Sequence, residues 1–237
     1  MLLGSASLPA YAQKAAQTPS QAQAQAQTRR FMAELSAFAP KDGTKVQEGG
    51  TLFIGSSSIR LWDLTSAFPK AQAVNHGFGG ATVRDVLASY DLLVAGQEPA
   101  NILVYVGEND LAEGRKADEV AGDLSALMTR LRKDFPKARI AYLSMKVAPS
   151  RWSLRRAVGS VNRDLRKQAG DGFDYLDVAG GLRAGDALPD SALYGRDGLH
   201  LSALGYERWN EVVGKYLLPE APAEIIVPPP VLPVTGK

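Results

Sequence analysis

A serine, an aspartate and a histidine are the side chains best placed for chemistry in this sequence. Ser57 follows an apolar run that ends in glycine, and Asp197 stands three residues before His200. In acyl transfer, a serine hydroxyl gives its proton to a base while N–H groups hold the oxyanion that develops on the carbonyl. We therefore predict Ser57 as the nucleophile, His200 as its base and Asp197 as the carboxylate that orients the imidazole. The chain has no cysteine, which excludes a thiolate nucleophile.

Donors for such an oxyanion lie in two glycine-containing segments. Residues 79–80 follow one short apolar segment, and residues 107–110 (Gly-Glu-Asn-Asp) follow another. Backbone N–H groups and side-chain amides are the usual ligands of a tetrahedral oxyanion. We predict an oxyanion hole formed by the N–H groups of Ser57 and Gly80 and by the side chain of Asn109.

Three further polar residues in these segments, Arg60, His76 and Glu108, form the predicted substrate pocket. No carboxylate stands at a suitable spacing to orient His76, so a local hydrogen bond or a place in the pocket wall explains it better than a role as base. For Trp62, packing on the protein surface is favoured over contact with substrate. The arginines that follow residue 150 are expected to cover a solvated helix face: Arg151, Arg155, Arg156, Arg163 and Arg166.

Each segment alone also has a purely structural explanation. Serines after a glycine often satisfy free N–H groups at a turn or a helix start, and Ser56 and Ser58 are rivals to Ser57 as the nucleophile. Paired glycines allow a strand and a helix to pack closely, and Asn109 can cap a turn. The joint occurrence of the segments in one order supports the catalytic interpretation.

The apolar pattern predicts the elements that must bring these segments together. Short apolar runs alternate with helical spacing, which is typical of an α/β protein with a mostly parallel sheet. The predicted strands are 51–55, a second that ends at 73–75, 102–106, 139–144 and 173–178. Helices are predicted around 83–90, 120–131 and 154–165, with a last one from Ser202 to about Tyr216. The carboxyl ends of parallel strands share one edge, so the segments after them should converge there.

The two ends of the chain do not have the composition of a packed core. Residues 1–28 combine a signal-like segment, with cleavage expected after Ala12, and a low-complexity Ala/Gln linker. Residues 219–237 form a Pro-rich C-terminal tail. We therefore predict a periplasmic or secreted protein with one folded domain over residues 29–218.

Composition narrows the classes of partner. A net charge of +2 gives no reason to expect nucleic acid, and no segment approaches the ~20 apolar residues that span a bilayer. Two isolated histidines without cysteine leave no convincing metal site, and the glycine segment lacks the spacing of a phosphate-binding loop. We expect no metal, no cofactor, no nucleic acid and no membrane span, and the oligomeric state stays open.

In the order and spacing of four segments, the chain resembles the SGNH (GDSL-like) hydrolases. The resemblance covers roughly residues 51–216 and rests on Gly55-Ser56-Ser57, Gly80, Gly107 to Asp110, and Asp197 to His200. It implies a flavodoxin-like three-layer α/β/α sandwich with a central, mostly parallel five-stranded sheet, and metal-independent ester hydrolysis. Ser56 stands where the family commonly has aspartate. That aspartate is not a triad member, so the departure weakens the match to the family motif more than it weakens the predicted mechanism.

The alcohol and acyl parts of a substrate are less well determined. Similar exported proteins act on short acyl esters, acetylated sugars or cell-wall glycans, lipids and thioesters. The segments Met145–Trp152 and Leu182–Arg196 are expected to shape the pocket. Without a long apolar lid, a short acyl or acetyl group on a small molecule or carbohydrate is the expected substrate. The alternative is a catalytically silent carbohydrate- or cell-wall-binding module on the same fold.

Overall fold

A computed structural model describes residues 31–39, 47–184 and 188–218 of the chain. The predicted signal-like segment and linker, residues 1–28, and the predicted Pro-rich tail, residues 219–237, lie outside the described residues. Among the helices of the described ranges, none is long and apolar enough to cross a membrane.

Five parallel strands form the central sheet, and they are the five strands that the apolar runs predict, with slightly shifted ends. The strands of the described residues are β1 (Gln47–Glu48), β2 (Thr51–Gly55), β3 (Ala73–Gly77), β4 (Gln97–Glu98), β5 (Asn101–Tyr105), β6 (Arg139–Leu143) and β7 (Asp174–Leu176). The order across the sheet is β3-β2-β5-β6-β7, and each neighbouring pair is parallel. The short strands β1 and β4 form a separate parallel pair, which the sequence did not predict.

Helices connect successive strands. They are α1 (31–36), α2 (Ser57–Arg60), α3 (Leu64–Ala67), α4 (Val83–Ala88), α5 (Tyr90–Val94), α6 (Glu108–Ala112), α7 (Ala117–Asp134), α8 (Arg155–Gln168) and α9 (Ala203–Tyr216). Short 3₁₀ turns cover Pro149–Leu154, Gly180–Leu182 and Ser191–Leu193. The single helix predicted around 83–90 is wrong, because the chain breaks at Ser89 into α4 and α5. The last helix begins after Ser202, whose hydroxyl caps it as predicted.

Side chains of the sheet alternate between two apolar cores. Leu52 and Ile54 face the core under α4, α5, α7 and α8, whereas Phe53 faces the core under α2, α3 and α9. Both faces of the strands are therefore covered, which explains why they are almost continuously apolar. The result is the predicted three-layer α/β/α sandwich.

The strand order creates a crevice at the centre of one sheet edge. Strands β2 and β5 are neighbours, and the chain leaves them toward opposite faces of the sheet through α2 and through α6–α7. Parallel sheets with this order bind ligands at the point where the connections diverge. Ser57 follows β2 and residues 107–110 follow β5, so both lie at this point.

Helix α1 packs against the glycine segment that follows β3. The Phe31 ring meets the Phe78 ring edge to face, with centroids 5.3 Å apart. The Gly79 N–H donates to Glu34 Oε2 at 2.7 Å. The N-terminal helix is thus part of the folded unit and supports the back of the glycine segment.

We expect Phe31→Ala to lower the free energy of unfolding by about 2–4 kcal/mol, because it removes a buried aromatic ring and leaves a cavity. Urea unfolding at neutral pH measures the change. Met32→Ala is the matched control: Met32 lies on the same helix and is 61% exposed, so its truncation should change stability by no more than about 0.5 kcal/mol. Equal effects of the two substitutions would show that α1 does not contribute through this packing.

Candidate active site

Ser57 lies at the first position of α2, directly beyond the carboxyl end of β2. Gly55 permits the turn, since a Cβ there would lie 2.0 Å from the Tyr105 carbonyl oxygen on the neighbouring strand. Ser56 is the N-cap residue, but its side chain makes no capping hydrogen bond. The first N–H groups of a helix have no partner within the helix, which leaves the Ser57 N–H available to a ligand.

A continuous line of hydrogen bonds joins Ser57 to the segment before α9. Ser57 Oγ lies 2.9 Å from His200 Nε2, and His200 Nδ1 lies 2.6 Å from Asp197 Oδ2. With the Nδ1–H donating to the carboxylate, Nε2 is the acceptor for the serine hydroxyl. The structure thus brings together three predicted residues from distant parts of the chain.

The Asp197 carboxylate also fixes the turn that carries the histidine. Its Oδ1 accepts hydrogen bonds from the N–H groups of Leu199 at 2.9 Å and His200 at 3.0 Å. The bond from the Leu199 N–H, followed by that from the His200 side chain, lowers the pKa of Asp197 to about 2. Asp197 is therefore ionised at neutral pH, although solvent weakens its interactions because 52% of its side chain is exposed.

The two rival serines have different surroundings. Ser58 is buried, and its Oγ accepts a hydrogen bond from Lys146 Nζ at 3.3 Å. Ser56 is also buried, at the end of β2. Of the three neighbouring hydroxyls, that of Ser57 is the one in contact with His200.

The segments after β3 and β5 are tied to each other at the same edge of the sheet. Asn109 Nδ2 donates to the Ala81 carbonyl oxygen at 2.9 Å, and the Val83 N–H donates to Asp110 Oδ2 at 2.9 Å. Gly80 has φ +79°, a conformation that favours glycine, and the space beside its Cα is open. Two of the three predicted oxyanion donors, Gly80 and Asn109, therefore belong to connected segments that flank the end of β2, where Ser57 lies.

Residues 55–208 match the GDSL-like lipase/acylhydrolase family, a match that spans more than half of the chain and every segment just described. The chain belongs to this family. It is therefore a carboxylic ester hydrolase, and the alternative of a silent binding module loses its support. Among curated proteins, none matches the chain.

Solved structures similar to this GDSL hydrolase have the same fold. A protein from Streptococcus pneumonia, provisionally described as a platelet activating factor, has a TM-score of 0.74 at 22% identity, covering 83% of this chain and 97% of that one. A GDSL-like lipase from Bacteroides thetaiotaomicron has a TM-score of 0.65 at 19% identity, covering 80% and 96%. An acetyl-xylooligosaccharide esterase from Geobacillus has a TM-score of 0.58 at 19% identity, covering 75% and 98%. At these identities the likeness establishes the fold.

A buried ionic cluster lies behind the nucleophile turn of this GDSL hydrolase. Lys146 Nζ lies 2.6 Å from Glu108 Oε2, 3.2 Å from the Tyr105 hydroxyl and 3.3 Å from Ser58 Oγ. The Tyr105 hydroxyl donates to Glu108 Oε2 at 2.9 Å. We refer to Lys146, Glu108, Tyr105 and Ser58 as the Lys146 cluster. Lys146 is not among the predicted site residues, although a lysine just after an apolar strand is a visible signal.

The arginine-rich face is confirmed for Arg155, Arg156, Arg163 and Arg166, which are exposed. For Arg151 the expectation of a solvated helix face is wrong. This residue lies in the 3₁₀ turn before α8, and its side chain is 22% exposed. Its guanidinium donates hydrogen bonds to the side chain of Asn109.

The three predicted pocket residues lie in different surroundings. His76 is buried, stacks on Phe38 with ring centroids 4.5 Å apart, and its Nδ1 lies 2.6 Å from the Leu93 carbonyl oxygen. Burial lowers the pKa of His76, so it serves as a neutral packed donor, and these contacts do not support a place in the pocket wall.

Glu108 belongs to the Lys146 cluster. Arg60 ends α2 and is exposed. Trp62 packs, as expected, but in the core and not on the surface, and its Nε1 donates to Asn210.

Both segments predicted to shape the substrate pocket line one cavity of about 180 Å³. Val147 and Trp152 come from the first segment, and Leu182, Arg183 and Tyr194 from the second. Tyr194 directly precedes Gly195, whose N–H donates to the His200 carbonyl oxygen at 2.8 Å. The cavity is therefore next to the histidine turn along the chain, but Ser57, Asn109 and His200 are not among the residues that line it.

Proposed function

We propose that this chain is a serine esterase that removes short acyl groups, acetyl above all, from small molecules or carbohydrates. The observation that carries the proposal is the hydrogen-bonded line from Ser57 Oγ through the His200 imidazole to the Asp197 carboxylate. Such a line activates an otherwise weak nucleophile by giving its proton a base and the base a counter-charge.

The proposed reaction has two halves. His200 Nε2 takes the Ser57 proton while Oγ bonds to the ester carbonyl carbon, whose oxygen becomes the oxyanion. When the carbonyl re-forms, the bond to the alkoxy oxygen breaks and the imidazolium gives that oxygen its proton, releasing the alcohol. Water, deprotonated by His200, then attacks the acyl-enzyme, and the collapse releases the carboxylic acid and returns the proton to Ser57.

The oxyanion is proposed to bind three donors, namely the Ser57 N–H, the Gly80 N–H and the Asn109 side-chain amide. The open space beside Gly80 and the position of Asn109 in the first turn of α6, just beyond β5, support this assignment. Such preorganised donors act only as negative charge develops, which is why they lower the barrier and not only the binding energy.

We propose that the alcohol part of the substrate occupies the cavity next to the histidine turn, whose volume of about 180 Å³ suits a small group. Its lining combines an aromatic ring from Trp152 with the polar groups of Arg183 and Tyr194, a mixture that suits a small alcohol or a sugar ring better than a long alkyl chain. The likeness to an acetyl-xylooligosaccharide esterase is consistent with an acetylated sugar.

Hydrolysis of p-nitrophenyl acetate, butyrate and octanoate by the purified protein tests the acyl preference. We expect the highest kcat/KM for the acetyl ester and a fall of about tenfold or more at octanoate, because a small site excludes the added methylenes. A chelator should leave the rates unchanged. Equal rates on all three esters, or loss of activity with the chelator, would contradict the proposal.

A further inference from the structure

Arg151 holds the amide of Asn109 from the side opposite the Ala81 carbonyl. Its two terminal nitrogens, Nη1 and Nη2, each donate to Asn109 Oδ1 at 3.1 Å. We propose that Arg151 is a positioning residue for ester hydrolysis, acting through Asn109. This inference rests on the proposed function, in which Asn109 supplies an N–H to the oxyanion.

The chemistry of the two neighbours leaves one orientation for the amide. A guanidinium has only donors and a backbone carbonyl has only lone pairs, so Oδ1 must face Arg151 and Nδ2 must face Ala81. One Nδ2 proton then binds the Ala81 oxygen. The second Nδ2 proton is left for the substrate oxyanion. Without Arg151, the hydrogen bond to the Ala81 oxygen alone would hold the amide, and the second Nδ2 proton would be less firmly aimed at that oxyanion.

The charge on the arginine adds to this effect. A cation bound at the amide oxygen draws electron density away from the nitrogen, and hydrogen bonds in series polarise one another. The Nδ2–H of Asn109 therefore becomes a stronger donor toward a developing negative charge. Such a gain appears in the transition state more than in the ground state.

Buried charge fixes the guanidinium in turn. Arg151 Nη1 lies 3.5 Å from Glu108 Oε1, and that oxygen has no hydrogen bond among the described residues. The other carboxylate oxygen of Glu108 is held by Lys146 and Tyr105. The Lys146 cluster thus supplies Arg151 with a rigid counter-ion.

The same 3₁₀ turn also contacts the histidine segment. The N–H and the hydroxyl of Ser150 each lie 3.0 Å from the Gly198 carbonyl oxygen. Pro149–Leu154 therefore contacts the oxyanion donor through Arg151 and the Asp197–His200 turn through Ser150. A side chain placed at this junction is well situated to keep the two halves of the site in register.

A double-mutant cycle with Asn109→Ala and Arg151→Ala tests whether the arginine acts through the amide. With p-nitrophenyl acetate, we expect kcat to fall about 10²- to 10³-fold in Asn109→Ala and about 10- to 10²-fold in Arg151→Ala, since misplacing a catalytic group costs up to that much. KM should change little. The double variant should be no slower than Asn109→Ala within about twofold, because the arginine then has no amide to position.

The controls separate positioning from folding and from substrate binding. Arg156→Ala removes an exposed arginine of α8 and should leave kcat and KM unchanged. Arg151→Lys should lose less kcat than Arg151→Ala, since an ammonium still donates to Oδ1, and it serves as the test if the alanine variant does not fold. A rise in KM at constant kcat would show that Arg151 binds substrate directly, and multiplied losses in the double variant would show that it acts independently of Asn109. Either result overturns the inference.

Failure of the inference differs from failure of the proposed function. If Asn109→Ala retains full activity, Asn109 is not an oxyanion donor and the proposed site itself is wrong. If Asn109→Ala is slow while Arg151→Ala is as fast as the unchanged protein, the proposed site stands and the positioning role of Arg151 is wrong.

Discussion

Replacing Ser57 with alanine should lower kcat/KM for p-nitrophenyl acetate by at least about 10⁴-fold, the loss seen when the nucleophile of such a triad is removed. The hydroxyl lies 2.9 Å from His200 Nε2 and is, within residues 31–39, 47–184 and 188–218, the side-chain nucleophile that contacts this nitrogen. By the relation of about 1.4 kcal/mol to each tenfold change, the loss corresponds to at least about 5.5 kcal/mol of transition-state stabilisation.

The two neighbouring serines provide matched controls for this substitution. Ser56→Ala and Ser58→Ala remove hydroxyls from the same turn, but neither hydroxyl contacts the imidazole in the way that Ser57 does. Both variants should keep at least about a tenth of the activity, because they alter the turn without removing the attacking atom.

A covalent label gives a readout that does not depend on turnover. A fluorophosphonate should add once to the unchanged protein and to Ser56→Ala, at a tryptic peptide that contains residue 57, and should not add to Ser57→Ala. If Ser57→Ala retains more than about a hundredth of the activity and still takes up the label, the nucleophile lies elsewhere and the triad assignment is wrong.

The sheet could be predicted from the sequence because its strands are buried on both faces. Strands such as β2 and β5 are short runs of apolar residues with glycine at or just after the end, and this pattern carries strand position and parallel arrangement together. The break between α4 and α5 could not be predicted in the same way. Val83, Val86 and Tyr90 are all buried. The helical spacing of apolar residues therefore continues across the break between α4 and α5, although the helical backbone is interrupted there.

The three residues of the proposed triad could be predicted because their types and local spacing are unusual. The residues behind them could not, because their roles arise from contacts between distant segments. Lys146 and Glu108 are far apart in the chain but meet at 2.6 Å. Arg151 resembles the exposed arginines that follow it, and only its position in a 3₁₀ turn before α8 directs it to Asn109.

The interior position of the Lys146 cluster leads to the second large effect, which is on stability. Lys146 and Glu108 have side chains that are 1% and 5% exposed. Charges in such an environment depend on each other, because removing one partner leaves the other without water or counter-charge. We expect Lys146→Met, which keeps an unbranched side chain that is one heavy atom shorter, to lower the free energy of unfolding by about 3–5 kcal/mol.

The double variant Lys146→Met/Glu108→Gln distinguishes loss of charge pairing from loss of packing. It removes both charges, so it should be more stable than Lys146→Met alone, with a coupling of about 1–3 kcal/mol between the two sites. Guanidinium chloride unfolding at neutral pH is measured for four proteins: the unchanged protein, Lys146→Met, Glu108→Gln and the double variant.

An exposed ion pair supplies the matched control for this measurement. Arg208 Nη1 lies 3.3 Å from Glu211 Oε1, with side chains 39% and 50% exposed, and Arg208→Ala should cost no more than about 1 kcal/mol. If Lys146→Met costs no more than this control, the buried pair does not stabilise the fold. Additive losses in the double variant would instead show that the effect comes from packing. If charge pairing caused the losses, either single substitution would already break the pair, and the second substitution would cost little more. The expected non-additivity would show that the Lys146 cluster is held together by its charges. Two of its members, Ser58 and Glu108, are the chain neighbours of Ser57 and Asn109. The cluster would therefore support both the nucleophile turn and the Asn109 amide.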